Sequence, residues 1–397
     1  MLRIERRLFW LFLHVALAAL AIHYFLTPFE VGAGGATPYT QRLFFGFVYL
    51  LLIGLGGRVE KRAEVLFLFF IVTAVWFFSI NFPENIGSLL YFLAFLGCAL
   101  FSPALLGHGE RLARFSLVLD CLLLFWVLSL VFQVVFYFAT SSILDVHGFF
   151  HPSSAARIPT IGNLVRFTGV HIEPGTYSNW IFGLVLLRAV VSGRLYDKLA
   201  LAAMASTALT MSAWGALAIG VYFSSLAIAI LRSLDSRLVG RLLVFVGLFA
   251  VFMLYLAGKY FDELWDFSQY LLARSELEDA SGASKVTAFS GFVALILDVA
   301  VLGKPLNFDF CGGCLSPQDA GVFINLAVRG GVVFTVFLFG VIGLALVRVG
   351  GGAASLLLGP LAGAKFYYFD PIFWLIFGFS IYFLVMSRVK NEGNSRL

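Results

Sequence analysis

The chain has 397 residues, of which 61% are apolar and only 12% are charged, and its mean hydropathy is +0.96. Soluble domains carry about 25% charged residues, so this composition excludes a soluble protein and indicates a protein whose solvent is lipid. The net charge of +5 comes from short basic clusters between apolar runs, which excludes the single basic patch of a nucleic-acid-binding protein.

Apolar runs that could cross a hydrocarbon core about 30 Å thick recur along the chain. They predict twelve transmembrane helices, near residues 8–27, 42–57, 63–82, 86–105, 115–140, 176–192, 199–213, 214–231, 240–257, 319–347, 351–366 and 371–387. No small-residue cleavage site follows the first run, so we expect it to be retained as a span. The pair 199–231 is short in each half, and we expect a hairpin that bends near Thr210-Met-Ser212.

Basic residues occupy every second connection between these runs, and more of them follow the last run. They are Arg58, Lys61, Arg62, Arg111, Arg114, Arg194, Lys198, Arg232, Arg237, Arg241, Arg348, Arg388 and Lys390. By the positive-inside rule these connections are cytoplasmic, which predicts a bacterial inner-membrane protein with both termini in the cytoplasm. Two long periplasmic loops result, 141–175 and 258–318. The apolar segment 286–303 would break the alternation if it crossed, so we expect an interfacial helix there.

The first long loop places four ionisable residues just before a predicted span, namely Arg157, Arg166, His171 and Glu173. Ionisable groups at a membrane edge are costly unless they are paired or solvated, and they are therefore candidates for function. Arg166 can present a fork of donors to phosphate oxygens, and Glu173 could orient that fork or take a proton. The structural alternative is an Arg166–Glu173 ion pair that anchors the loop.

Histidines and cysteines of the outer loops were considered as metal ligands. His147, His151 and His171 are separated by four and twenty residues, which matches no compact ligand motif and favours solvated or locally hydrogen-bonded side chains. Cys311 and Cys314 share a polar loop, and whether they form a disulfide stays open. Cys98 and Cys121 fall inside apolar runs and are expected to pack as small hydrophobic residues.

The second long loop and the following span supply further charged candidates. Most of the mixed acids and bases there, such as Glu276, Glu278, Lys304 and Asp309, are typical of a solvated surface. Asp319 is expected at the head of the next helix, where a carboxylate can cap the first turn. Arg329 lies ten residues further on, about 15 Å along a helix, and must meet a partner or a wet cavity. It is either a pyrophosphate ligand or a member of a buried ion pair.

Several of these residues stand in an order that resembles a known family. Arg166-Phe-Thr-Gly169 followed by Glu173-Pro174 resembles the RxxG and EP motifs of the O-antigen polymerase (Wzy-like) and O-antigen ligase superfamily. Thr210-Met-Ser212 is similar to its TxS turn, and the stretch from Ser284-Lys285 through Leu302-Gly303 resembles the segment that leads to its PLxG motif. Asp319-Ala-Gly-Val and Arg329-Gly-Gly resemble its late catalytic helix with a small-residue kink. The resemblance covers about residues 115–385.

This resemblance implies a GT-C-like helical fold and an enzyme that acts on undecaprenyl-pyrophosphate-linked glycans without metal, nucleotide or other cofactor. It assigns Arg166 and Arg274 to the pyrophosphate and Lys285 to a supporting position where the family more often has Arg. Glu173 or Asp319 would orient or deprotonate the acceptor, and Arg157, His171 and Arg329 would bind substrate. The implied partners are the lipid-linked donor and acceptor, membrane lipid and, as a further candidate, a chain-length regulator protein.

Three functions were weighed. Ligases carry a His-Asn pair where this chain has Asp319-Ala320, which favours a polymerase of repeat units over a ligase. A flippase or transporter of lipid-linked glycans would also need many spans and intramembrane charges. The two halves of the chain, however, show no matching pair of Gly/Pro-broken spans, and the charges cluster in the outer loops. A non-catalytic assembly subunit is the third alternative.

Overall fold

The structure, a computed structural model, describes residues 2–27, 38–54, 63–81, 85–106, 109–151, 155–161, 164–233, 280–310 and 320–394. Within these ranges the chain is almost entirely α-helical, with one short antiparallel pair of strands. Several predicted features lie outside the described residues: the span 240–257, Arg274, Asp319 and the pair Cys311 and Cys314.

The described residues form fourteen α-helices. In chain order they are α1 (Leu2–Leu26), α2 (Pro38–Gly54), α3 (Ala63–Asn81), α4 (Ile86–Leu106), α5 (Gly109–Thr140), α6 (Val146–Phe150), α7 (Pro174–Ser192), α8 (Lys198–Ser206), α9 (Ala213–Ser233), α10 (Ala280–Leu295), α11 (Gly321–Gly330), α12 (Val332–Gly350), α13 (Leu358–Gly363) and α14 (Pro371–Asn394). Two 3-10 helices, Thr207–Thr210 and Gly352–Leu357, follow α8 and α12. The strands β1 (Thr160–Ile161) and β2 (Leu164–Val165) pair between α6 and α7.

Six of the described helices are long and apolar enough to cross a membrane by length and composition, namely α1, α3, α4, α5, α9 and α12. Large apolar side chains stay exposed along them, including Phe12 on α1, Leu68 on α3 and Leu344 on α12. Exposed apolar stripes of this kind suit a lipid environment, because apolar surface in contact with lipid does not carry the free-energy cost of contact with water. The prediction of an all-α, multi-pass membrane protein is therefore confirmed, while the number of twelve crossings stays a prediction.

Helices α7 and α14 form the centre of the bundle. Nearly every residue of α7 from Tyr177 to Val191 is buried, and so is the run of α14 from Ile372 to Phe379. A helix that is apolar on all sides is stable only when other helices surround it. Trp126 of α5, Trp180 of α7 and Trp374 of α14 are the largest fully enclosed rings of this core. The ends of α7 are thereby held firmly in place.

The predicted span 319–347 is two helices and not one. Gly331 separates α11 from α12 with a φ of 95°, a left-handed backbone conformation that glycine adopts without strain. A side chain there would also collide with the carbonyl oxygen of Val301. Because α12 alone is long enough to cross, Arg329 lies beyond its Gly331 end and not about 15 Å inside a span, as the sequence had suggested.

The segment that follows α10 fills this break. The predicted interfacial helix 286–303 is helical only as far as Leu295, and the chain after it runs beside the α11–α12 junction. Val332 N donates to Val299 O at 2.9 Å, Val333 N to Ala300 O at 3.1 Å, and Lys304 N to Val328 O at 2.6 Å. These bonds satisfy backbone groups that a broken helix would leave without partners, which irregular backbone in a membrane protein requires.

The predicted span 351–366 is also not a continuous helix. It consists of the 3-10 helix Gly352–Leu357 and the six-residue α13, and the chain after α13 is extended at Ala364. Val322 N, at the start of α11, donates to Ala364 O at 2.8 Å. Close packing of glycines accompanies this bond, because a side chain at Gly321 would collide with the backbone of residues 362 and 363. The short helix therefore supports the start of α11.

Candidate functional site

The segment from Leu164 to Glu173 carries the predicted motif residues and is folded against α5. Arg166 N donates to Pro159 O at 3.1 Å, which extends the β1–β2 pairing by one bond. Gln133 of α5 is fully buried, and its Oε1 accepts hydrogen bonds from Thr168 N at 3.0 Å and Gly169 N at 2.9 Å. Gly169 has a φ of 58°, so the turn of the RFTG motif needs glycine at this position.

Arg166 is 7% exposed, and its guanidinium is turned toward the turn after α8. Its Nε donates to Thr210 O at 3.3 Å. Two motifs that are separated by 44 residues in the sequence are therefore in contact. A carbonyl oxygen does not neutralise a guanidinium, and the fork of an arginine can bind an anion such as phosphate.

The Thr210-Met-Ser212 turn is a strained and well-connected structure. Met211 has a φ of 48°, which is uncommon for a residue with a side chain. Ser178 of α7 and Thr210 are joined through their hydroxyls at 2.8 Å, and Gly215 N donates to Ser212 Oγ at 3.4 Å at the start of α9. The predicted hairpin bend is confirmed, and hydroxyl groups hold it against the start of α7.

Glu173 lies in extended backbone directly before Pro174, the first residue of α7. Its Oε1 accepts a hydrogen bond from Thr176 Oγ1 at 3.2 Å. Both Glu173 Oε1 and Ser212 Oγ lie beside Gly175. The ion pairs of the described residues do not include Glu173, so the Arg166–Glu173 pair considered as a loop anchor does not form. The carboxylate at the head of α7 is held by a neutral hydroxyl.

His171 is fully buried and is not solvated, contrary to the expectation for the loop histidines. Its ring meets Trp126 edge to face at a centroid distance of 4.7 Å and Tyr177 at 5.6 Å. His147 and His151 are buried as well. The sequence could not show this, because the burial depends on α6 folding back against α1 and α5. His171 therefore lies beneath the segment and does not face a substrate.

Arg329 is the second buried arginine at this end of the molecule. It is 4% exposed, and its Nη1 donates to Pro305 O. Its Nε is buried without a hydrogen-bond partner among the described residues, and the ion pairs found there do not include it. Phe310 and Tyr368 lie 6.0 Å from its guanidinium carbon. The described ion pairs do not include Arg329, but Asp309 is close enough for its negative charge to act on the guanidinium. The buried Nε without a hydrogen-bond partner remains the feature that suits an anion.

The remaining candidates are more peripheral. Arg157 is exposed, although its N–H donates to Ile172 O at 2.6 Å and so ties it to the Glu173 segment. Lys285 is exposed on α10. Asn179 of α7 links the two parts of the site. Its Oδ1 accepts a hydrogen bond from Lys365 N at 2.9 Å, and the preceding residue, Ala364, accepts from Val322 N at the start of α11. Arg166 and Arg329 are thus connected through α7 and residues 364–365.

Two charged clusters were missed by the sequence analysis. Arg42 and Asp370 form a buried ion pair at 3.0 Å, in which Arg42 also donates to the carbonyl oxygens of Phe25 and Leu26. Arg188, which is 1% exposed, pairs with Asp120 and Asp197. Each arginine lies within an apolar run, which was a signal that could have singled them out. Both clusters pair opposite charges completely and are suited to holding helices together.

Neither models of protein families nor curated proteins nor solved structures match this chain at a significant level. Among the described residues, no group of three or more His, Cys, Asp or Glu side chains has the arrangement needed to hold a metal ion. What the chain does must therefore be argued from the site itself.

Proposed function

We propose that this protein polymerises undecaprenyl-pyrophosphate-linked oligosaccharide repeat units into O-antigen or a related surface polysaccharide. It does so at the periplasmic face of the bacterial inner membrane, as a GT-C-like enzyme of about twelve spans with both termini in the cytoplasm. The observation that carries the proposal is the contact between Arg166 and Thr210 O. It joins the RxxG-like and TxS-like motifs at the head of α7, next to the Glu173-Pro174 pair.

The chemistry that this arrangement would perform is a glycosyl transfer. A hydroxyl of the acceptor sugar attacks the anomeric carbon of the donor, a new glycosidic bond forms, and the bond to the pyrophosphate oxygen breaks. Arginine forks stabilise the charge that develops on the leaving pyrophosphate, and a carboxylate takes the proton of the attacking hydroxyl. Arg166 and Arg329 each donate to a carbonyl oxygen, and Arg329 also has a buried Nε without a hydrogen-bond partner among the described residues. Glu173 is the described carboxylate nearest to Arg166 along the chain.

Replacement of Arg166 tests the assignment directly. Arg166→Ala should abolish chain elongation while the protein still inserts and stays monodisperse in detergent. Arg166→Lys should be partly active, because lysine offers a point charge and not a fork. Arg114→Ala is a matched control, since Arg114 is exposed and pairs with Glu110 one helical turn away. Polymer of wild-type length from Arg166→Ala would leave an assembly subunit as the better function.

A gene deletion separates the polymerase from the ligase. Loss of a polymerase should leave single repeat units on lipid A-core or on the carrier, with no long chains. Long polymer that accumulates on undecaprenyl pyrophosphate would instead identify a ligase. Asp319→Asn should reproduce the single-unit phenotype if the carboxylate is chemical, whereas a helix cap tolerates asparagine.

The topology has its own test. Cysteine probes near His151 and Ser281 should react with a membrane-impermeant reagent from the periplasm, and probes near Lys61 and Asp235 should not. Labelling near Ser281 only from the cytoplasm would contradict the assignment of the second loop.

A further inference from the structure

Four of the six histidines of the chain gather beneath the segment that carries Arg166 and Glu173. They are His23 of α1, His147 and His151 at α6, and His171. The His151 ring lies 4.6 Å from that of His147 and 5.7 Å from that of His23, measured between ring centroids. All four are at most 3% exposed. Burial of four rings that gain a charge in mild acid is unusual and calls for a physical explanation.

The hydrogen bonds of the cluster fix the neutral form of His23 and show that Nδ1 of His147 carries a proton. Trp126 Nε1 donates to His23 Nδ1 at 3.0 Å, and since an indole can only donate, His23 Nδ1 must be the acceptor. The proton of neutral His23 is then on Nε2. His147 Nδ1 lies 2.9 Å from Val170 O, an acceptor only, so His147 carries its proton on Nδ1. These tautomers are assigned from the partners of each nitrogen.

Other nitrogens of the cluster have nothing in the described structure that would stabilise a charge. His23 Nε2 and both ring nitrogens of His171 are buried without a hydrogen-bond partner. Burial lowers the pKa of His171 well below its ordinary value, with smaller contributions from His23, His147 and His151. Burial and then the charge of His147 lower the pKa of His151 to about 3. The closed cluster therefore does not take up protons in mild acid.

The described titratable groups around the cluster are two tyrosines and one carboxylate. The tyrosines in ring contact are Tyr24 of α1, against His23 and His151, and Tyr177 of α7, against His171. The carboxylate is that of Asp145, which caps α6 by accepting from Gly148 N at 2.7 Å and from Ala156 N at 3.1 Å. Among the described ion pairs, none joins an acidic side chain to one of the four rings.

The cluster also joins the two parts of the loop to each other. His147 binds the carbonyl of Val170, and Arg157 N binds that of Ile172, so α6 and residues 170–172 are held as one piece. His171 lies two residues before Glu173 and five after Arg166. Any opening that exposes the rings to water must therefore displace the segment between these two site residues.

We propose that His23, His147, His151 and His171 form an acid-sensitive latch that holds α6 and residues 164–173 closed at neutral pH and releases them in mild acid. The ligand of the latch is the proton, and the three loop histidines are the rings that opening would expose. The proposal concerns the loop and not the reaction, so it does not depend on the proposed function. Under the proposed function, opening in acid also displaces Arg166 and Glu173 from the positions in which they would act.

The direction and size of the effect follow from linkage. The closed state holds the rings neutral, with pKa values below those of exposed histidine near 6.5, so the open state binds more protons as the pH falls. For each histidine ring that becomes exposed on opening, the equilibrium constant between the closed and open states should rise by about 30-fold from pH 7.5 to pH 5.0. The closed state is therefore fully favoured above about pH 6.5 and loses its advantage below it.

Hydrogen exchange of the full-length protein in detergent measures this opening. After correction for the intrinsic pH dependence of exchange, peptides covering residues 164–173 should open at least about 30-fold more at pH 5.0 than at pH 7.5. Peptides of α7 between residues 184 and 191 should show no such change. An opening ratio that stays within about threefold of unity in the 164–173 peptides would overturn the proposal.

Three variants sharpen the measurement. His171→Phe keeps the aromatic contacts with Trp126 and Tyr177, and His147→Asn keeps a donor for Val170 O; each should reduce the acid response by about 30-fold and remain folded at pH 7.5. His14→Gln is the control, because His14 lies about 13.5 Å from His23 along α1 and outside the cluster. A full acid response in folded His171→Phe and His147→Asn proteins would also overturn the latch.

Discussion

The two ends of α7 hold charge in opposite ways. At its C-terminal end, Arg188 pairs with Asp120 and Asp197 and also donates to the carbonyl of Arg194. At its N-terminal end, Glu173 accepts from a threonine hydroxyl, and Arg166 donates to the carbonyl of Thr210. Both ends belong to one buried helix. One end is neutralised by carboxylates, and the other presents its charged groups to neutral partners.

The difference separates scaffold from site. A buried arginine that is bracketed by two carboxylates has no charge left for a ligand, and its removal strands the carboxylates. A carbonyl oxygen does not neutralise an arginine as a carboxylate does, so an arginine bonded to a carbonyl oxygen is a better candidate for binding an anion. Arg329, bonded to Pro305 O, belongs with Arg166 in this respect. The comparison predicts that mutations at the two ends of α7 affect different properties.

The largest effect is expected for Arg188→Ala, which should destabilise the protein by about 3 kcal/mol because Asp197 loses its partner and Asp120 keeps only the half-exposed Arg194. The measurement is the temperature at which the monodisperse protein is lost on heating in detergent. Arg194→Ala is the matched control, since Arg194 pairs with the same Asp120 but is 45% exposed and should cost about 1 kcal/mol or less. An Arg188→Ala protein of unchanged thermal stability would refute the scaffold role.

The next largest effect is expected for Gln133→Ala, which should lower the free energy of unfolding by about 2 kcal/mol. It leaves the buried N–H groups of Thr168 and Gly169 without an acceptor. Unlike Arg188→Ala, it should reduce polymer length more than stability, since it loosens the turn that aims Arg166. Gln133→Glu keeps the acceptor oxygens for both N–H groups but loses the donor to Leu144 O, so it should restore only part of the activity. Equal losses of activity in both variants, with normal stability, would contradict the positioning role of the acceptor.

The sequence predicted most of this fold because lipid imposes a strong pattern. Long apolar runs coincide with α3, α4 and α7 to within two residues at either end, and Thr210-Met-Ser212 marks the turn between α8 and α9. The sequence-based prediction failed at the α11–α12 junction. The hydropathy is continuous there, but Gly331 breaks the helix, and residues 299–304 supply the missing backbone hydrogen bonds. Such pairing between distant segments leaves no periodic signal.

The roles of the site residues stay a prediction. The resemblance placed Arg166 and Thr210 in two motifs of one family without predicting how they meet, and the structure brings them into contact. The buried state of His171 and the Arg42–Asp370 pair could not be inferred, because each depends on tertiary packing of residues far apart in the chain. An isolated arginine in an apolar run shows that a partner must exist, but the sequence does not say whether it is a carboxylate, a carbonyl or a ligand.

The contrast between scaffold and site extends to the glycine break beside Arg329. Gly331→Ala should destabilise the protein by about 1 to 2 kcal/mol, because its φ of 95° and its contact with the Val301 carbonyl both disfavour a side chain. Gly340→Ala is the control in the same helix α12, since a side chain there meets nothing within 4 Å. It should be neutral or stabilising by up to about 1 kcal/mol. Equal thermal stability of the two variants would contradict the role assigned to the break.

The smallest effect tests whether charge or geometry matters at the Arg188 end. Asp197 accepts a hydrogen bond from Ala200 N at the start of α8 and forms an ion pair with Arg188. Burial alone would raise the pKa of its carboxyl group, but the bonds to Arg188 and Ala200 outweigh burial and lower the pKa below the usual value. Asp197→Asn keeps a good helix cap and removes only the charge. A carboxylate with a lowered folded pKa stabilises above its unfolded pKa, near 3.9, and loses that contribution as the pH falls through the folded value.

Wild-type protein should therefore unfold at a higher temperature than Asp197→Asn at pH 7, and the difference should shrink only below about pH 4. The comparison is made between the two proteins at each pH, so the acid response of the histidine cluster cancels. Glu110→Gln, at an exposed pair with Arg114, should show almost no difference at any pH. If the Asp197→Asn difference persists unchanged at the lowest pH, the carboxylate acts by shape and hydrogen bonding. The charge balance that distinguishes the two ends of α7 would then not be what stabilises the Arg188 end.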